Sequence, residues 1–323
     1  MSAKRGATDL SGILAVDKPG GMTSHDVVDR VRRITGERRV GHAGTLDPMA
    51  TGLLVVLVGP ATRLAPYLSA AEKTYEARIE FGAETDTDDA DGRITATAAI
   101  PDEVCDPFAA AGFVASLVGT HEQVPPAFSA VKRGGVTAYE AARKGEGLEL
   151  EARTIEVTGA RLMGVEIAPA AWDVELAVSK GTYIRALARD LGRALGTAAH
   201  LGALRRTHSG ALAVESAHSL DELAAAAEPE SGTVDTGTIE SLFADPIAAL
   251  GLPSLAIDAA QMAAVKDGRQ IDATFAGAAP GTPVSLSHDG RLVAIYGAPG
   301  TSPGEAVAKP LVVIPGGVSG AAR

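Results

Sequence analysis

The stretch that decides the fold runs Gly41-His42-Ala43-Gly44-Thr45-Leu46-Asp47-Pro48-Met49-Ala50-Thr51-Gly52 and leads straight into the apolar run Leu53 to Val58. The glycines at 41, 44 and 52 let the backbone take positive φ or approach a ligand closely. Pro48 restricts Asp47 to extended geometry. The pattern puts a carboxylate on a stiff loop at the mouth of a buried strand, a place from which functional groups often project. A plain Asp-Pro turn fits the same spacing, so the loop alone does not decide its chemistry.

Upstream, residues 11–16 read as a short strand stopped by Pro19-Gly20-Gly21. Ser24 reads as an N-cap with Asp26 in the first turn. Val27, Val28, Val31 and Ile34 follow at helical spacing, and Gly36 closes the helix. Downstream, Tyr75, Ala77, Ile79 and Phe81 alternate, as do Trp172, Val174, Leu176 and Val178, giving two half-buried strands. A helix from about residue 182 to 195 would carry Arg185, Arg189 and Arg193 as one cationic stripe. Pro125 to Glu151 is polar and Gly-punctuated, an excursion from the sheet. Glu228 to Thr238 reads as a linker, and after Leu252 short segments broken by Gly and Pro predict a β-rich module.

With 323 residues, 46% hydrophobic and 4% aromatic, the chain is expected to hold roughly two domains at ~150 residues each. The lone Cys105 leaves no disulfide framework or thiolate cluster for zinc. After Lys4 and Arg5 the apolar run is only Ile13 to Val16, short of the ~7–15 residues of a secretory h-region. No segment reaches the ~20 residues of a membrane span. A cytoplasmic protein is expected. The net charge of −11 is uneven. Residues 176–210 hold six basic side chains against Asp190, and residues 84–106 hold eight acids against Arg93. A locally basic face can displace counterions from RNA even on an acidic protein.

Six ordered blocks between residues 16 and 206 resemble one family. Gly41 to Gly52 resembles the GHxGTLDPxATG signature of TruB-type bacterial tRNA pseudouridine synthases, and Val16 to Ser24 is similar to their DKPxGxTS opening. Lys73-Thr74-Tyr75 with Thr85 to Gly92 resembles the tyrosine strand and TDTxDxxG loop. Pro125 to Lys132, Ala138-Tyr139 and Ala142-Arg143 resemble the thumb insertion. Ser179 to Arg185 and Leu204-Arg205-Arg206 match the last two blocks. Six blocks in order are far more specific than one.

The resemblance implies an α+β pseudouridine synthase fold with a mixed, largely antiparallel sheet and flanking helices. It implies a catalytic domain over 1–245, with a thumb at about 124–152, and a small PUA-like β-barrel over 250–323. It further implies isomerisation of the T-loop uridine at position 55 of tRNA by base flipping, with no metal or other cofactor, by a monomer that binds the T-arm stem-loop. Its catalytic set falls on Asp47, Tyr75 and Arg185: the nucleophilic carboxylate, the tyrosine stacked on the base near C5, and the guanidinium facing the carboxylate. A carboxylate can stabilise or capture positive charge built at C1′, and a buried one needs an opposing charge to stay ionised. Tyr183 and Leu204 would line the pocket, His42 would hold the flipped nucleotide's surroundings, and Asp89 would bond the RNA or orient Tyr75's neighbours. Lys132, Arg143, Arg189, Arg205 and Arg206 are candidate phosphate contacts. Two other readings compete: a tRNA-binding or folding factor with secondary catalysis, and a hydrolase pairing Asp47 with Asp89, whose carboxylates would sit ~5–5.5 Å apart if retaining.

Overall fold

The computed structural model describes residues 8–227, 234–272, 275, 278–300 and 307–320. Lys4, Arg5 and the part of the expected linker at 228–233 lie outside the described residues. The chain forms two compact units. One takes in the chain up to Pro48, Gly52–Ala70 and everything from Ser209 onward; the other takes in Met49–Thr51 and Ala71–His208.

In the first unit the strand Gly12–Lys18 pairs antiparallel with Thr51–Val58, which also pairs antiparallel with Val40–His42. Leu53 to Val58 are all fully buried, which explains why that run does not alternate. The helix Ser24–Thr35 is capped by Thr23 rather than by the expected Ser24. Thr23 and Asp26 form a reciprocal capping box, and Gly36 ends the helix at φ 65°. Ser24 is buried and occupied elsewhere, as shown below.

Beyond residue 250, the strands Ser254–Ala256, Pro283–His288, Arg291–Gly297 and Lys309–Val318 form an open sheet in that order, the first pair parallel. No closed barrel occurs among the described residues, unlike the sequence expectation. The sheet is covered on both sides instead. Leu292, Ile295, Ile314 and Val318 share a core with Ile13, Leu53 and Leu57, while Val284, Leu286, Val293 and Tyr296 pack against Met262 and Val265. With both faces buried, closure is not needed to hide them.

In the second unit the strand order is Ala199–Ser209, Lys73–Phe81, Ala170–Val178, Arg153–Ile167, Gly119–Gln123. The pairs from Lys73–Phe81 outward to Gly119–Gln123 are antiparallel. Both alternating strands bury the faces their sequences mark out. Trp172 meets Phe81 edge-on at 4.8 Å and donates its indole N–H to the Val104 carbonyl at 2.8 Å. The excursion holds a hairpin, Lys132–Arg133 with Val136–Thr137, and the helix Ala138–Arg143.

Lys73 opens the central strand and is 6% exposed. Burial, with Arg206 and Lys180 nearby, lowers its ammonium from the ordinary 10.5 to about 8. Below about pH 8 folded and unfolded chains both carry this proton; between about 8 and 10.5 only the unfolded chain does. Stability from this group therefore rises with pH across that window, by at most about 3 kcal/mol. Denaturant titrations of wild type and Lys73→Met across the window should show the difference moving in the wild type's favour as pH rises. A gap that stays constant would contradict the assignment.

Candidate active site

Asp47 is half-buried on a loop whose two flanking residues are both fixed by another segment of the first unit. On one side, Ser24 Oγ donates to the Leu46 carbonyl at 3.1 Å and accepts from the Leu46 N–H at 2.8 Å. On the other, the Pro48 carbonyl accepts from the Gly21 N–H at 2.9 Å and from Lys18 Nζ at 3.2 Å. Lys18 is fully buried, and its ammonium also donates to the carbonyls of Pro19 at 2.9 Å and Met22 at 2.7 Å. Gly44 and Gly52 bracket the loop at φ 104° and 95°, where a side chain would be strained. His42 ends the short strand before the loop and is half-buried. From the sequence Ser24 is expected only as an N-cap and Lys18 is not singled out, although both lie in the DKPxGxTS block.

In the second unit the helix Ile184–Ala194 turns its arginines onto the acidic loop after Phe81. Arg185 is 4% exposed; its Nε lies 3.6 Å from Asp89 Oδ2, and its Nη atoms donate to the carbonyls of Thr87 and Phe128 at 2.9 Å each. Arg189 donates to Asp88 at 2.7 Å, Asp190 at 2.9 Å and the Val124 carbonyl at 3.0 Å. Arg193 grips Glu84 with two hydrogen bonds, of 2.8 and 2.7 Å. The stripe expected to face phosphates is matched, arginine by arginine, with carboxylates. Arg189 and Arg206, at 9% and 1% exposure, are too deeply buried to offer their guanidiniums to an RNA backbone in this arrangement. Asp88, not singled out beforehand, adopts φ 59°. Burial raises its carboxyl above the usual range, with Arg189 and Arg185 opposing that rise.

Asp89 is 5% exposed; its Oδ1 accepts from Thr87 Oγ1 at 2.6 Å and from the Asp91 N–H at 3.2 Å. A carboxylate so engaged is poorly placed to serve as a second hydrolytic acid. Tyr75 is 8% exposed on the inward face of its strand. Tyr183, half-buried, precedes the arginine helix and is held by Gln123, whose amide accepts from its N–H at 2.9 Å and donates to its carbonyl at 3.1 Å. Leu204 is 8% exposed and, with half-buried Arg205, borders a cavity of about 530 Å³ within this unit. Lys132 and Arg143 are exposed on the excursion, with Arg143 stacked 5.7 Å from the centre of the Tyr139 ring.

The model of the TruB family pseudouridylate synthase N-terminal domain matches residues 32–184, and that of the tRNA pseudouridylate synthase B C-terminal domain matches residues 185–243. The chain is 44% identical over 289 residues to the tRNA pseudouridine synthase B of Nocardia farcinica, covering 88% of this chain and 89% of that one. It is 53% identical over 220 residues to its namesake in Thermobifida fusca, covering 66% and 74%. Among solved structures it resembles a chain of an H/ACA RNP bound to a substrate RNA containing 2′-deoxyuridine, with a TM-score of 0.68 and 25% identity over 94% of this chain and 84% of that one. The fold is that of the pseudouridine synthases. Within that class, the chain belongs to the TruB family of pseudouridylate synthases.

Two outcomes follow from the geometry. Ser24→Ala leaves the Leu46 peptide without its partner and should cost about 1–3 kcal/mol, measured by chemical unfolding. Breaking the Asp88–Arg189 pair from one side, with Asp88→Asn or Arg189→Met, should cost about 3–5 kcal/mol. The double variant should lose less than the sum, and strict additivity would show that the pair is not coupled.

Proposed function

We propose that this chain converts the uridine at position 55 of the tRNA T-loop to pseudouridine, with Asp47 as its catalytic carboxylate. The supporting observation is the clamp on Leu46 and Pro48, which fixes the backbone on both sides of that residue. In this reaction the bond from C1′ to N1 of the base breaks, the base turns, and C5 bonds to C1′. N1 gains a proton and C5 loses one, so the RNA keeps its mass. Positive charge builds at C1′ as the first bond opens, and a positioned carboxylate meets it.

In this reading Arg185 is the positioning counter-charge for Asp47, and Tyr75 stacks on the flipped base beside C5. Tyr183 and Leu204 offset part of the unstacking cost, and His42 supports the displaced nucleotide. Exposed Lys132 and Arg143, with Arg205, meet T-arm phosphates. Arg189, Arg206 and Asp89 hold the scaffold under them. Residues 1–245 act as the catalytic domain with the thumb at about 124–152, and 250–323 act as a PUA-like module built on an open sheet. The chain acts as a monomer in the cytoplasm and uses no cofactor.

An unmodified tRNA transcript incubated with the protein should acquire one rearranged uridine, mapped to the T-loop. Asp47→Asn should lower turnover by roughly 10³-fold or more while tRNA affinity stays close to wild type. Conversion by that variant at the normal rate would refute the assignment.

A further inference from the structure

Alternation along Lys73–Phe81 sends Tyr75 and Ala77 inward and leaves Glu76 and Arg78 on the opposite face. On that outward face Glu76 stands directly across from Glu175 in the strand register. Like charges in such positions destabilise a sheet. The nearby guanidiniums are engaged with other groups. Arg161 reaches Glu175 at 3.2 Å, and Arg78 is shared among Glu166, Asp173 at 3.4 Å and Glu80 at 3.5 Å. Among the described residues no cation pairs with Glu76.

Beside Glu76 lies the cavity of about 530 Å³, bordered also by Met49, Met163, Arg78, Asp173 and Arg205. Its volume falls in the range of small-molecule sites, roughly 300–1,000 Å³. The guanidinium-bearing Arg78 and Arg205 border the cavity beside the two carboxylates, so a compact ion there would meet like charge as well as oxygen ligands. Hard inorganic cations also prefer cages of oxygen ligands, whereas two methionines line this one. The unmatched carboxylate attracts a cation, and the methionines favour one that carries a hydrocarbon stem.

We propose that this cavity binds a free aliphatic polyamine. One ammonium sits at Glu76, another at the half-exposed Asp173, and the methylenes lie along Met49 and Met163. Leu204 and Arg205, placed above at the nucleotide and the phosphates, border the same cavity, so the polyamine lies beside that surface.

The chain has five methionines, so isotope-labelled methionine methyl signals of the full chain give a direct test by NMR. Spermidine should shift the Met49 and Met163 signals saturably and leave Met22 and Met262 unmoved. Glu76→Gln, at an exposed position, should weaken that titration about tenfold or more. The assignment fails if magnesium chloride at matched ionic strength reproduces the shifts, or if Glu76→Gln titrates like wild type. It also fails if all the methionines respond together. A lysine side chain from another protein has the same ammonium and stem; saturation by acetyl-lysine amide but not by spermidine would overturn the choice of a free polyamine.

Discussion

The hydrogen bonds that hold the peptide units on either side of Asp47 are the constraint from which the site follows. Ser24 satisfies both the N–H and the carbonyl of Leu46. Lys18 supplies the three donors of a buried ammonium to three carbonyls, Pro48 among them. Each such bond contributes only about 1 kcal/mol net, but their directions are fixed and they act on both neighbours of one residue. The backbone that carries the carboxylate is thus held on both sides of Asp47, and fixed positions of this kind are what electrostatic preorganisation is built from. The same bonds explain why the helix starts on Thr23: Ser24 has left the cap to serve the loop.

A second constraint operates in the other unit. Arg185, Arg189 and Arg193 rise along one helix and meet Asp89, Asp88 and Glu84 in reverse order along the chain. This ladder fixes the register of an irregular loop against a regular helix. Buried ion pairs of this kind contribute modestly to net stability but penalise every misaligned arrangement, because a shifted loop would strand a charge. Arg193 and Glu84, at the exposed end, carry the weakest share.

Much of this was legible in the residues. The period-two runs around Tyr75 and Trp172, the uninterrupted run after Gly52, and the helix closed by Gly36 each declare their structure because burial acts on side chains along a single segment. The family blocks pointed to Asp47 and its companions as the candidate set. What escaped were relations between distant segments. The acids at 84–91 and the arginines at 185–193 looked like separate patches when charge was counted along the chain; folding sets them against each other and cancels both. Ser24 satisfied every rule for an N-cap, and its recruitment by Leu46 depends on a loop 22 residues away. The C-terminal strands were recognisable one by one, but whether they close into a barrel depends on what covers their faces, which short alternating runs do not encode.

Trp172 is the only tryptophan in the chain. It is fully buried in the second unit, with its indole hydrogen-bonded to Val104 and edged by Phe81. Its emission therefore reports solvent entry into that unit and is blind to the carboxylate loop and the C-terminal sheet. A melting curve followed by fluorescence and one followed by circular dichroism would be reading different parts of the same molecule, and any spacing between them would measure how far the two units unfold independently.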